Sequence, residues 1–212
     1  MSRSLSGIYK RLYSAFGPQY WWPADSPLEV MVGAILTQNT NWQNVEKAIK
    51  RLKEEKLLKL GRLHKIPQHR LASLIRPSGY YNIKAGRLKA LFNFLHKEYK
   101  GSLKKLKRKD AQSLRNSLLA VKGIGPETAD SILLYALNKP VFVIDAYTKR
   151  ILSRHHFIQR QATYDEAQNL FRKNLQSNVK LFNEYHALLV KLGKEFCLKN
   201  KPRCAICPLR NI

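Results

Sequence analysis

The sequence predicts an all-α fold, and three observations support that prediction. Apolar residues recur at helical spacing through most of the chain, proline and glycine separate these segments, and only Val141 to Ile144 has the composition of a strand. Apolar residues make up 44% of the 212 residues, which predicts a packed globular protein with one sizeable core or two smaller ones. No repeat with a period of about 20–50 residues is visible.

The first well-defined helix is predicted over residues 27–38, where Ser26 is a suitable N-cap and Pro27 takes the first helical position. This segment is apolar on almost every face, so we expect its helix to be central and buried. Further amphipathic helices are predicted over residues 43–57, 82–98, 110–120 and 164–175. Asp110 and Thr163 are suitable caps for the last two.

The chain is strongly basic, with 39 Lys and Arg against 14 Asp and Glu and a formal net charge of +25. This excess indicates a polyanionic partner, because each neutralised phosphate releases counterions. A basic protein that touches membrane or ribosomal surfaces is the alternative. The basic stretch Lys97–Lys109 is open to two interpretations, a loop against phosphate or a solvated charged turn.

Three features bear on the compartment. No run of about 18 apolar residues occurs, and residues 1–17 alternate apolar and basic side chains without the continuous apolar region of a signal peptide. The three cysteines all lie within the last 16 residues, whereas a disulfide scaffold would spread them along the chain. We therefore expect a cytoplasmic protein that does not enter a membrane.

The most informative segment is LLAVKGIGPETAD, residues 118–130. A helix ends before Gly123-Ile124-Gly125, and a second helix begins at Pro126. Both glycines can take a positive φ and let another backbone approach closely. The turn then directs backbone N–H groups and a helix N-terminus outward, which is an arrangement that can bind phosphate. Ile124 can point back and hold the two helices together.

This segment resembles the helix-hairpin-helix of the endonuclease III superfamily of DNA glycosylases, together with the connection and aspartate that follow it, here ending at Asp145. The resemblance implies a two-domain helical fold with the active site in the interdomain cleft. The domains expected are a six-helix bundle over 27–140, which contains the hairpin, and a second helical domain from 1–26 plus 141–212. From the residues alone, Asp145 can equally be the N-cap of a helix that starts at Ala146, and the two roles are compatible.

Position 127 separates the branches of this superfamily. Its bifunctional members carry a lysine two residues after the second hairpin glycine, and that lysine attacks the sugar to form a Schiff base. Glu127 stands there, so the resemblance implies a monofunctional glycosylase that uses water. Two alternatives stay open: a bifunctional endonuclease III-like glycosylase and AP lyase for oxidised pyrimidines that uses another lysine, and a non-catalytic helix-hairpin-helix DNA-binding protein.

Residues 18–45 and 76–88 resemble the 3-methyladenine DNA glycosylases of the endonuclease III type. This resemblance implies base excision repair of alkylated purines in double-stranded DNA, with Trp22, Pro23 and Trp42 lining the base pocket. Indole faces suit a base that carries positive charge, through cation–π attraction and stacking. Any one of these tryptophans can equally be a core residue.

The same resemblance implies the DNA contacts of a monomeric enzyme. Gln38 matches the residue that fills the gap left by the flipped base. Gly123 and Gly125 hold the phosphate backbone, with Lys122 beside them. Tyr80 and Tyr81 are lesser candidates for the site, and packing is the role we expect for them.

The cysteines Cys197, Cys204 and Cys207 have the spacing C-x6-C-x2-C and resemble the cluster loop of endonuclease III. A fourth cysteine would follow one residue beyond Ile212. The resemblance implies a [4Fe-4S] cluster loop whose last ligand is absent from these 212 residues. Zinc and three unconnected thiols are the alternatives.

Overall fold

The structure is a computed structural model and describes residues 4–212. Its α-helices, numbered in chain order, are α1 (Leu5–Phe16), α2 (Pro27–Leu36), α3 (Trp42–Glu54), α4 (Leu60–Lys65), α5 (Gln68–Leu74), α6 (Tyr81–Tyr99), α7 (Leu103–Arg108), α8 (Ala111–Leu119), α9 (Pro126–Ser131), α10 (Ala146–Arg154), α11 (Tyr164–Asn174) and α12 (Val179–Glu195). Short 3-10 turns cover Arg76–Ser78 and Cys204–Ile206, and a π-helical stretch, Ile132–Ala136, continues α9. The prediction of an all-α fold is confirmed.

The run Val141 to Ile144 has the composition of a strand but does not form one. The run is extended, but side chains rather than a neighbouring strand occupy its backbone groups. Gln168 donates a hydrogen bond to the carbonyl of Phe142 at 2.7 Å, and the N–H of Ile144 donates to the hydroxyl of Tyr164 at 3.3 Å. No strand occurs anywhere in residues 4–212.

The chain divides into two compact units. One comprises Met1–Pro23 and Pro140–Ile212, and the other comprises Ala24–Lys139. We call them the terminal unit and the central unit. The second predicted domain begins at residue 1, and so does the N-terminal stretch that lacks the features of a signal peptide. The first three residues of both lie outside the described range.

The central unit is built around α2. Its residues from Leu28 to Leu36 are all buried, which confirms the expectation of a central apolar helix. Helices α3, α6 and α9 and the π-helical stretch pack against it. One of the buried residues, Glu29, is charged, and its carboxylate lies 2.7 Å from the ammonium of Lys53. This ion pair compensates the charge inside the apolar surroundings.

The predicted caps are all confirmed. Ser26 accepts a hydrogen bond from the N–H of Glu29 at 3.2 Å, and Asp110 accepts one from the N–H of Ser113 at 2.9 Å. Thr163 accepts from the N–H of Glu166, whose carboxylate accepts from the N–H of Thr163 in return. These contacts satisfy N–H groups that have no partner inside the helix.

In the terminal unit, α12 packs against α1 and α10. Its buried side chains recur at helical spacing, and Asn178 caps its first turn at 2.9 Å. The sequence pattern did not delimit this helix. Tyr185 is fully buried on it and donates a hydrogen bond to the carbonyl of Leu5 at 2.8 Å, which ties α12 to the start of α1.

The basic stretch Lys97–Lys109 is not the loop or turn that we expected. Its second half is helix α7, anchored by the buried side chain of Leu106 and capped by Ser102. The basic side chains on either side of Leu106 are exposed. No helix in the described part of the chain is both long and apolar enough to cross a membrane.

Candidate functional site

The glycine-rich turn joins α8 to α9 in the central unit. Gly123 has φ +88°, a conformation that favours glycine. Ile124 is 5% exposed and its N–H donates to the carbonyl of Val121 at 3.0 Å, so it points inward as expected. Gly125 departs from the expectation of a positive φ, because it is the extended N-cap of α9 with φ −93°. The space beyond its α-carbon is open, so another backbone can approach there.

The exposed side of this turn carries Lys122 and Glu127. Glu127 lies in the first turn of α9, where a negative charge is favoured by the helix dipole. Behind it, Arg115 of α8 and the fully buried Asp130 of α9 form an ion pair of 2.8 Å that joins the two helices. The turn is therefore held on a rigid pair of helices.

Gln38 follows the C-terminal end of α2 and is half-buried. Its side-chain amide donates to the carbonyl of Gly123 at 3.1 Å and to the hydroxyl of Thr128 at 2.9 Å. The structure thus brings Gln38 directly against the hairpin turn. Trp42 is the first residue of α3, is half-buried, and donates from its indole nitrogen to Glu46 at 2.7 Å.

Trp22 and Pro23 lie in the terminal unit, after α1. The indoles of Trp21 and Trp22 meet edge to face with centroids 5.7 Å apart, and both are half-buried, whereas Pro23 is exposed. The preceding backbone is fixed where the N–H of Gln19 donates to Glu184 of α12 at 2.7 Å. The Trp22 ring therefore sits on an anchored segment.

Asp145 is the N-cap of α10, and its two carboxylate oxygens have different surroundings. Oδ1 accepts a hydrogen bond from the N–H of Thr148 at 2.7 Å, which confirms the capping role, and Oδ2 lies 3.6 Å from Nε2 of His186. Burial by itself would raise the pKa of Asp145, but the interaction with His186 and the Thr148 N–H outweigh it and hold the pKa below its ordinary value. Asp145 is thus a buried carboxylate that stays negatively charged at neutral pH.

The cysteine loop follows α12. Cys197 is buried, Cys207 is half-buried and Cys204 is exposed. Arg150 of α10 donates to the carbonyl of Cys197 at 2.8 Å, and Arg154 donates to the carbonyl of Leu198 at 2.6 Å, so the start of the loop is fixed. Burial raises the pKa of the Cys207 thiol, and the other two thiols raise it further.

Within residues 4–212, these thiols form no group of three or more side chains arranged to hold a metal ion. A [4Fe-4S] cluster takes four thiolates, so the three cysteines present do not by themselves fit it.

Three residues that the sequence did not indicate lie beside the predicted site residues. His186 contacts Asp145, Arg87 contacts Gln38, and Lys84 is buried beneath the residues before Gln38. A polar residue on the apolar face of a helix was the available signal for His186, which lies among Phe182, Tyr185 and Leu189.

Comparison with known proteins places the chain in a family. A family profile for HhH-GPD superfamily base excision DNA repair proteins matches residues 32–177. The chain belongs to the HhH-GPD superfamily. It is therefore a DNA glycosylase of base excision repair and binds DNA.

Relatives cover nearly the whole chain. A protein of Methanocaldococcus jannaschii, provisionally named a DNA repair glycosylase, is 49% identical over 96% of this chain and 92% of its own length. Endonuclease III of Thermotoga maritima is 29% identical over 87% of this chain and 81% of its own length.

Among solved structures, the 3-methyladenine DNA glycosylase of H. pylori bound to 1,N6-ethenoadenine is similar with a TM-score of 0.78. It is 32% identical and the match covers 89% of this chain and 96% of that chain. A trapped endonuclease III–DNA covalent intermediate has a TM-score of 0.82 at 22% identity, covers 96% of this chain and 91% of that chain, and so shares the HhH-GPD fold.

Proposed function

We propose that this DNA glycosylase is monofunctional and releases alkylated purines of the 3-methyladenine type with water as the nucleophile. The observation that carries the proposal is Glu127, an exposed carboxylate at the position where bifunctional members of the superfamily carry the attacking lysine. A carboxylate cannot form the imine on which strand cleavage depends. The 32% identity to a 3-methyladenine DNA glycosylase supports the choice of substrate.

Asp145 is the proposed catalytic residue. Its Oδ1 is committed to the cap of α10, so Oδ2, which lies 3.6 Å from Nε2 of His186, is the oxygen that we assign to the reaction. The bond from C1′ to the base breaks with its electron pair going to the base, and the carboxylate stabilises the positive sugar that remains. Water then adds to C1′ and gives up a proton to the carboxylate or to solvent.

Trp22, Pro23 and Trp42 are the proposed base pocket. A purine methylated on a ring nitrogen is cationic while attached to the sugar and leaves as a neutral base, so it needs no general acid. Indole faces favour a cation over a neutral ring by about 0.5–2 kcal/mol. Both the leaving-group chemistry and the aromatic residues therefore favour alkylated purines over neutral lesions.

The proposed DNA contacts lie in the central unit. Phosphates are held by the backbone at Gly123 and Gly125 and by the side chain of Lys122. We also propose that the enzyme acts as a monomer. Gln38 fills the gap in the duplex that the extruded base leaves. It lies two residues beyond the end of the buried helix α2 and contacts the turn, so the insertion and the phosphate contacts share one rigid support.

A panel of duplexes with one lesion each tests substrate and mechanism together, with free base and strand breaks scored separately. We expect methylated purines to be released much faster than uracil or oxidised pyrimidines. Abasic product should stay intact until treated with alkali, and borohydride should trap no enzyme–DNA adduct. Preferred excision of thymine glycol would refute the substrate class, and efficient trapping would refute the monofunctional mechanism.

Substitution separates the chemical role of Asp145 from its capping role. Asparagine can still accept the Thr148 N–H but carries no charge, so Asp145→Asn should fold normally, bind DNA nearly as well as wild type, and lose base release by a factor of about 100 or more. Asp110→Asn is the matched control, because Asp110 caps α8 in the same way on an exposed surface. Equal turnover in both variants would show that Asp145 only caps α10 and has no chemical role.

The pocket assignment has its own control. Trp42→Ala should lose most activity on 3-methyladenine and keep the steep salt dependence of nonspecific DNA binding. Phe94→Ala removes an aromatic ring elsewhere in the central unit, where Phe94 meets Tyr99 edge to face. Unchanged rates on every lesion in Trp42→Ala would exclude Trp42 from the pocket.

For the cysteine loop, we propose that Cys197, Cys204 and Cys207 are three ligands of a four-thiolate site. The resemblance to the cluster loop of endonuclease III predicts that a cysteine added directly after Ile212 would complete it. The extended protein, purified without oxygen, should contain iron and absorb visible light, and Cys204→Ser in the same protein should abolish both. An iron-free and zinc-free extended protein with an unchanged fold would show that the loop holds no metal.

A further inference from the structure

The side-chain amide of Gln38 is held at both ends. Arg87 of α6 donates to its oxygen, while its nitrogen donates to the carbonyl of Gly123 and to the hydroxyl of Thr128. A guanidinium can only donate and a carbonyl can only accept, so one orientation of the amide satisfies both neighbours. The direction in which Gln38 presents its amide is thus fixed by the protein itself.

Arg87 also contacts the hairpin turn. A methyl group added at Gly123 would lie 2.3 Å from the γ-carbon and 2.7 Å from the δ-carbon of Arg87. The stem of Arg87 therefore occupies the space where any other residue at 123 would place its side chain. Glycine is required at this position both by the backbone conformation and by the packing of Arg87.

Helix α6 fixes the backbone before Gln38 as well. One turn before Arg87, the buried ammonium of Lys84 donates to the carbonyl of Leu36 at 2.8 Å and to that of Ser78 at 2.6 Å. Leu36 is the last residue of α2, where helical carbonyls have no partner within the helix. Lys84 thus holds the main chain two residues before Gln38, and Arg87 holds the side chain.

We propose that Arg87 is a positioning residue that orients the Gln38 amide for insertion into the duplex and couples it to the hairpin turn. The inference rests on the insertion role of Gln38 given under Proposed function. Glutamine has many rotamers, and holding it in one before DNA binds removes an entropy loss from the extrusion step. Arg87 acts through Gln38, so its effect should appear in extrusion rather than in affinity.

The test uses the 212-residue protein and a duplex with 2-aminopurine beside the lesion, so that fluorescence reports extrusion independently of base release. Arg87→Met keeps the stem over Gly123 and removes the donor. We expect extrusion to slow about tenfold, while affinity changes no more than in Arg62→Met. Arg62 is a matched control because it lies in the same unit and donates to one backbone carbonyl, that of Lys56, at 2.9 Å. Arg87→Lys should recover part of the rate.

A double substitution shows whether Arg87 acts through Gln38. In a Gln38→Ala background, Arg87→Met should slow extrusion by less than a further factor of two. If the two effects on the extrusion rate multiply, Arg87 does not act through Gln38 and the inference is wrong. If Arg87→Met instead weakens binding and lowers the salt slope by about one with extrusion intact, Arg87 is a phosphate contact and the inference is also wrong. Normal extrusion in Gln38→Ala alone would overturn the insertion role itself, and a defect in Gln38→Ala but not in Arg87→Met would overturn only the positioning role.

Discussion

The ion pair between Arg115 and Asp130 joins the two helices of the hairpin, and its removal should destabilise the protein more than loss of any exposed pair. Arg115 Nε lies 2.8 Å from Oδ1 of Asp130 and Nη2 lies 3.2 Å from Oδ2, with side-chain exposures of 14% and 0%. Arg115→Met takes the main counter-ion from a carboxylate that stays buried. Removing one partner of a buried ion pair lowers the free energy of unfolding by about 3–5 kcal/mol. We expect a loss of about 3 kcal/mol here, because Asp130 has other interactions.

The assay is thermal and urea unfolding followed by circular dichroism. For a chain of this length, about 3 kcal/mol corresponds to a fall in Tm of about 6–12 °C. Arg70→Met is the matched control, because Arg70 pairs with Glu55 at 3.1 Å with exposures of 60% and 45% and should cost about 1 kcal/mol or less. Arg115→Met/Asp130→Asn should recover part of the loss. Equal Tm values for Arg115→Met and Arg70→Met would show that the buried pair contributes no more to stability than the exposed one.

Two further predictions concern stability. Burial lowers the pKa of Lys84 to about 8, against 10.5 when exposed, so the unfolded chain binds more protons between these values. The free energy of unfolding should therefore rise with pH across that window by up to about 1.4 kcal/mol per pH unit, and Lys84→Met should abolish this rise; parallel pH profiles for both proteins would contradict it. Gly193→Ala should lower the free energy of unfolding measured in urea by about 1–3 kcal/mol, because the new methyl would lie 2.5 Å from the ring of Tyr147. Gly61→Ala is the control: its methyl meets nothing within 4 Å, so this substitution should be neutral or stabilising.

Contacts between residues close in sequence were predictable. Ser26, Asp110 and Thr163 cap their helices as expected, because a cap depends on a side chain and an N–H three residues later. The apolar character of α2 likewise predicted its burial, since a helix without a polar face has to be covered on all sides. The hairpin follows from the same local rules, because a glycine turn between two helices needs no distant partner.

The family motif supplied the candidate site, and the contacts around it came only from the structure. Asp145 was predicted as a cap and as the catalytic carboxylate, but nothing near it in sequence indicated that His186 of α12 faces its second oxygen. The catalytic part of that assignment remains a prediction. The extended run from Val141 to Ile144 shows the limit of composition, since its residues suit a strand but no strand in the described part of the chain lies beside it to complete a sheet.

The helical class, the caps and the hairpin could be predicted from the sequence, because each depends on residues within a few positions of one another. The partners of Gln38 became visible only in the folded chain. Arg87 and Gly123 are distant from it along the chain, and their contacts exist only because α6 and the hairpin pack beside the end of α2. The fold also buries Lys84, a residue type that is usually exposed, against two backbone carbonyls. Long-range packing sets which polar groups meet, and local sequence rules carry no information about it.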